Sequence, residues 1–186
     1  MDLIEAINTR RSVRSYSEEK VSEEMIEVLL QAAVQAPSAS NSQPWSFGVI
    51  QDSGLLKEYS DRAKNHLLSI AAEEPSLAKY RDMFTNADFN IFYNANTLLI
   101  IYAKPAGLHP QGDCCLAAQN LMLAAHAHGL GTCWIGFARI LLDLPELKKE
   151  LGVPAEYTVV APIIVGYPKG RIPQLSKKAP EVIFRR

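Results

Sequence analysis

The chain has 186 residues, a formal net charge of -1, 48% hydrophobic and 21% charged residues. That length suits one domain, residues 1–186, burying roughly 70% of its unfolded surface. The near-neutral balance argues against the broad basic face of a nucleic-acid binder, and no apolar run approaches the roughly 20 residues that span a bilayer.

The first residues, MDLIEAINTRR, lack the apolar core of a signal peptide and read as a short helix over 2–8, with Leu3, Ile4 and Ile7 on one side. Ser22 is a helix N-cap, with Glu23 and Glu24 in the positive first turn. Ile26, Leu29, Leu30 and Ala33 then make 23–35 amphipathic. Pro37 ends that helix and begins a turn-rich loop, PSASNSQPW at 37–45, which leads into a strand alternating through Trp45, Phe47 and Val49. Residues 55–73 and 76–84 read as helices, and TLLIIYA at 97–103 as a central strand covered on both faces.

Asp113 is placed to cap a helix over 114–128 that is apolar almost all round, as in a buried helix. GTCWIGF at 131–137 reads as a short strand or extended turn, 143–151 as a surface helix, and 157–168 as a buried strand despite Pro162. EVIF at 181–184 has the pattern of an added edge strand. Helices and strands alternate without regular βαβ units, so an α+β fold with a mixed central sheet flanked by helices is expected. Three cysteines, two of them adjacent (Cys114 and Cys115), offer neither a disulfide framework nor a metal-site spacing. A reducing, cytoplasmic setting is expected, with no metal and no membrane or nucleic-acid partner.

Three stretches offer binding chemistry. Arg10, Arg11, Ser12 and Arg14 lie within five positions and supply the planar forks and hydroxyl that a phosphate dianion takes. A surface turn paired with the glutamates at 18, 19, 23 and 24 is the competing reading. In the 37–45 loop, small side chains between prolines let the backbone approach a ligand, and Asn41 and Gln43 present both donors and acceptors. A plain helix-to-strand connector explains the same residues. Gly129, Gly131 and Gly136 permit close approach, and Gly136, expected within an extended stretch, is the hardest to explain without a ligand. His126 and His128 face opposite sides of their helix, one toward the core and one toward solvent, and Cys133 beside Trp134 reads as packing. No nucleophile elbow, HExxH or CxxC occurs, which points to chemistry done by a bound cofactor.

RRSVRSY (10–16), APSASNSQPWSF (36–47), FNIFYNANTLLI (89–100), DCCLAAQNLMLAAHAHGLGTCWIGF (113–137) and VGYP (165–168) together, in this order, resemble the nitroreductase family of FMN-dependent oxidoreductases. The resemblance implies an intertwined homodimer with FMN at the subunit interface and a tail, from about residue 170, extended over the partner subunit. Arg10, Arg11, Ser12 and Arg14 would hold the phosphate and ribityl end, with Lys178 (or Lys177) as a later phosphate ligand. Pro37, Ser38, Ala39 and Asn41 would meet the flavin from the partner, with Gln43 a further cofactor-binding candidate. Ile135 and Gly136 would lie along the ring with a backbone N–H near N5, and Asn90 and Asp113 fall where some members touch the ring.

No catalytic side chain is implied. NAD(P)H would reduce the flavin, and a nitroaromatic or quinone would then take its place in a ping-pong cycle. Reductive dehalogenation, flavin fragmentation and a non-enzymatic flavin carrier are the alternatives. Ala39, where serine is common, and FYNAN at 92–96 depart from the family pattern.

Overall fold

In a computed structural model describing residues 1–71, 73–173 and 175–186, four strands form one sheet. They are β1 (Trp45–Ile50), β2 (Thr97–Ala103), β3 (Gly131–Trp134) and β4 (Thr158–Gly166), ordered β1-β2-β4-β3. Every neighbouring pair is antiparallel, and the parallel component expected of a mixed sheet is confined to one bridge between Ser12 and Thr132. The α+β class stands.

Period-two alternation in β2 divides the interior. Leu99, Ile101 and Ala103 face one apolar layer and Leu98, Ile100 and Tyr102 the other. The first layer is closed by α2 (Glu23–Val34) and α6 (Pro110–Ala127), the second by α3 (Ser53–Ile70), α7 (Gly136–Leu142) and α8 (Pro145–Glu150). In β4 the register shifts so that Ile101 opposes Ala161 and Tyr102 opposes Val159, leaving Val160 as the extra residue of a bulge.

Pro162 is tolerated in this central strand because its missing N–H falls where β3 has ended. Its carbonyl, on the same edge, accepts from Ile135 N at 2.8 Å. The chain therefore leaves β3 at Trp134 and turns at once into α7, so Gly136 opens a helix instead of lying in the extended stretch expected from sequence.

Ser22 caps α2 as expected, its hydroxyl accepting from Met25 N at 3.2 Å. Helix α6 starts earlier than expected, at Pro110, which sits readily in a first turn; Asp113 lies inside that turn and is not the cap. Nor is α6 buried all round, since Cys115, Leu116 and Gln119 face solvent. The region expected as a helix at 76–84 is two short ones, α4 (Pro75–Ala78) and α5 (Arg81–Thr85). In α1 (Leu3–Thr9) only Ala6 is buried; Leu3, Ile4 and Ile7 are 65%, 65% and 50% exposed.

The tail beyond β4 forms no strand among the described residues, and Ile183 and Phe184 are 90% and 73% exposed. EVIF has the side chains of a strand, but an added strand also needs a free sheet edge to pair with, and it meets none within its own chain.

Gly131 marks a close approach. A Cβ there would come within 2.7 Å of the Val13 side chain. Gly131→Ala is expected to cost about 1–3 kcal/mol in urea unfolding by overpacking, and V13A in the same protein should restore most of it. Unchanged stability of the single variant would mean that the 10–16 segment packs elsewhere.

Candidate functional site

The arginine segment is fastened along its length. Val13 is buried and donates its N–H to Thr132 O at 2.9 Å. The Tyr16 hydroxyl returns to Val13 O at 2.6 Å, and Tyr16 bridges to Pro168. Ser17 N donates to Tyr167 O, and Lys169 N to Ser15 O, both at 2.9 Å. With Val13 turned inward, the two-residue period turns Ser12 and Arg14 outward together, and both are exposed.

Among the described residues none of Arg10, Arg11 and Arg14 forms an ion pair, with the glutamates at 18, 19, 23 and 24 or with any other acid. The salt-bridged surface turn is thereby removed as an explanation of the cluster. Arg11 differs from its neighbours: its Nη1 donates to the carbonyls of Asn8 and Arg10, both at 2.7 Å, closing the end of α1, while its Nε is buried without a partner.

Two cavities share Arg14 as a wall. One, of about 250 Å³, is lined by Ser12, Arg14, Lys169 and Arg171 among others. The second, of about 190 Å³, is walled by Tyr93, Trp134, Ile135, Gly136 and Phe137, again with Arg14. Together they reach the size range of small-molecule sites. One end is cationic and the other aromatic. Lys169 and Arg171 are not among the residues singled out from the sequence, where the resemblance implies Lys178 as the later phosphate ligand. Lys178 lies in the exposed tail and lines neither cavity. The signal was present as two cations flanking a glycine directly after β4, in YPKGRIP.

The donors of the second cavity are partly committed. Ile135 N is spent on Pro162 O, which leaves Gly136 N–H, in the first helical turn, without an intrahelical acceptor. A Cβ on Gly136 would meet nothing within 4 Å, and its φ is not positive. The fold itself has no need of glycine there, whereas a flat ring lying against the backbone does.

The 37–43 loop is built by its own bonds. Ala39 N donates to Asp113 Oδ2 at 3.2 Å and Gln43 N to Ser38 Oγ at 3.0 Å. These hold Ser40, Asn41 and Gln43 at φ of 52°, 53° and 45°, left-handed values that cost strain outside glycine. Asp113 thus ties the loop to α6. Pro37, Asn41 and Gln43 are exposed, with Ser38 and Ala39 half-buried, and none of the loop lines the cavities at Arg14. Asn90 is nearer: its Oδ1 accepts from Phe92 N and its carbonyl from Tyr93 N, both at 2.8 Å, so it builds the turn that carries Tyr93 to the cavity.

No side chain here is set up as a nucleophile or a proton carrier. Burial pushes the Cys133 thiol up, and the nearby Arg14 and Arg10 only partly offset it. Burial likewise pushes Cys114 up to about 12. His126 is half-buried and His128 exposed. The Thr9 hydroxyl donates to Glu5 O at 2.6 Å and so accepts from His126 Nε2 at 2.8 Å, which fixes the tautomer. Burial, with Arg10 and Arg11 beside it, holds that imidazole below its usual range.

Comparison with known proteins points the same way. The chain is 34% identical over 168 residues to an Archaeoglobus fulgidus protein named for NADH dehydrogenase/NAD(P)H nitroreductase, covering 90% of this chain and 86% of that one. A nitroreductase with bound FMN from Bacteroides fragilis superposes with a TM-score of 0.86 over 100% of both chains, at 26% identity. Oxidized iodotyrosine deiodinase, bound to FMN and 3-iodo-L-tyrosine, superposes with a TM-score of 0.75 at 26% identity, covering 99% of this chain and 98% of that one. Among the described residues no helix is long and apolar enough to cross a membrane. The sequence model of the Nitroreductase family matches residues 7–167, most of the chain, and the chain belongs to that family.

Proposed function

We propose that this chain is an FMN-dependent oxidoreductase that takes reducing equivalents from NADH or NADPH and passes them to a small acceptor of the nitroaromatic or quinone class. One observation carries the reading: Arg14 is the common wall of a cationic cavity and an aromatic one, the two environments that a phosphate-bearing isoalloxazine requires. When bound, FMN supplies the redox chemistry at its N5, and nicotinamide and acceptor use one face of it in turn.

The protein's own residues bind and orient. Ser12, Arg14, Lys169 and Arg171, with Arg10 beside them, neutralise the phosphate through charge-assisted hydrogen bonds. Ile135 and Gly136 give the ring a flat wall, and the uncommitted Gly136 N–H is the donor for its N5 edge. Phe137, stacked edge-on against Tyr80 and Phe84 with centroids 5.0 Å away in both cases, screens that wall from water. Arg14 near the pyrimidine side favours negative charge there, an electrostatic contribution that needs no proton transfer.

The site is completed in a homodimer, with Pro37, Ser38, Ala39, Asn41 and Gln43 supplied by the partner subunit's loop. Support comes from the apolar residues that one chain leaves open: Leu3, Ile4 and Ile7 on α1, Leu116 on α6, and Ile183 and Phe184 in the tail. The tail from about residue 170 lies over the partner, where EVIF finds a sheet edge; β1, paired only with β2, has one free. Ending the chain after Lys178 is therefore expected to shift the protein toward monomer in light scattering, and an undisturbed dimer would refute that role for the tail.

The test of the reading is reconstitution with FMN followed by anaerobic NADH or NADPH. Bleaching of the flavin absorbance, then its return on adding a nitroaromatic or quinone, is the expected result. A flavin that binds but does not bleach would make the chain a carrier. The deiodinase likeness favours one second reading, reductive dehalogenation, and a halotyrosine that reoxidises the reduced protein faster than any quinone would establish it.

A further inference from the structure

The FYNAN turn, residues 92–96, carries Tyr93 to the wall of the aromatic cavity. Tyr93 in this turn has φ of 52° and Asn94 of 55°. Asparagine tolerates the left-handed region, but a bulky tyrosine does so only when its surroundings enforce it. Here they do. Lys64, itself only 5% exposed, donates its Nζ to Phe89 O at 2.8 Å and Asn86 O at 3.3 Å. Buried Ser60 accepts from Ile91 N at 3.0 Å, and Phe92 is fully buried. These contacts fix the backbone leading into Tyr93 against α3, and both Asn90 bonds, with Ala95 N donating to Phe92 O at 3.0 Å, close the turn itself.

The strain has a visible consequence. The Tyr93 ring stands edge-on to Phe89, centroids 5.8 Å apart at 82°, and its face lies 5.7 Å from the Arg14 guanidinium carbon. That is within cation–π range. Arg14 has no carboxylate partner among the described residues, so this ring, with the nearby Cys133, holds it where it lines both cavities.

We infer that Tyr93 is a positioning residue, holding Arg14 in the orientation that receives the cofactor. The inference rests on the FMN reading for its ligand, but not for the Tyr93–Arg14 contact. The test uses Y93N, which keeps a residue at ease in the left-handed region but removes the ring, and Y93F, which keeps the ring. Y93N is expected to weaken FMN binding about fivefold to tenfold with little change in apo-protein Tm, and Y93F to bind as the parent does. R14A/Y93N should lose less than the sum of the two single losses, because the part of the Tyr93 effect that passes through Arg14 is already gone in R14A. Additive losses in the double variant, or unchanged binding by Y93N, would overturn the inference.

A second readout separates it from the flavin reading. In the apo protein the Arg14 Nε–Hε NMR signal should be ring-current shifted and return to the free-arginine position in Y93N. If FMN fails to bind the parent protein, the flavin reading falls. An Arg14 signal that does not move on losing the ring sinks the positioning role in either case.

Discussion

Replacing Lys169 and Arg171 together by alanine is expected to weaken FMN binding by about two to four orders of magnitude while leaving the apo protein folded. Each charge-assisted hydrogen bond contributes roughly 1.5–3 kcal/mol, and about 1.4 kcal/mol is a factor of ten. Neither side chain forms an ion pair among the described residues, so their removal leaves no buried partner charge uncompensated. Arg10→Ala or Arg14→Ala alone should cost about tenfold to a hundredfold by the same arithmetic. Lys178→Ala, in the exposed tail, should cost little. Fluorescence titration with FMN at fixed ionic strength measures all of these. Riboflavin, lacking the phosphate, is the internal control: the Lys169/Arg171 pair should not affect its binding. If the double variant held FMN as the parent does, the cationic cavity would not be the phosphate site.

Why Lys169 and Arg171 escaped the sequence reading is itself physical. Local periodicity reports which face of an element is apolar, and it served well for α2 and for β2, whose seven residues are all buried. It does not report which distant segment lies alongside. Lys169 reaches Ser12 and Arg14 only because 15–17 pairs with 167–169, through Ser17 N to Tyr167 O and Lys169 N to Ser15 O. That contact joins nearly opposite ends of the chain. The same limit applies to α1, with Leu3, Ile4 and Ile7 on one side, and to EVIF, with the pattern of an edge strand. Their apolar faces were legible in the sequence, but not the absence of a cover for them within one chain. Arg10–Arg14 and Gly136 were legible because each conflicts with its own surroundings, as unneutralised charge or as glycine without a local need for it. A functional site is where such conflicts are expected.

Gly136 gives the sharpest separation of fold from function. Position 136 opens α7, has no positive φ, and has open space where a Cβ would stand. Gly136→Ala should therefore leave apo stability within about half a kcal/mol, the usual range for surface changes, or raise it slightly through helix propensity. Gly136→Leu should do the same to the fold while filling the cavity bounded by Tyr93, Ile135 and Phe137. Its FMN affinity is expected to fall more than a hundredfold, because a ring excluded from the wall by a few ångströms loses its stacking surface and the Gly136 N–H together. The alanine variant should lie between, with about tenfold weaker binding. Urea unfolding of the apo proteins and FMN titration of the same samples give the two quantities independently. A Gly136→Leu protein that is stable and still binds FMN would move the ring away from this wall. One that unfolds would mean that α7 itself needs the glycine. Since Gly131 is a glycine that the packing demands, through Val13, the pair Gly131→Ala and Gly136→Ala should show opposite profiles: stability lost at the first, cofactor affinity lost at the second.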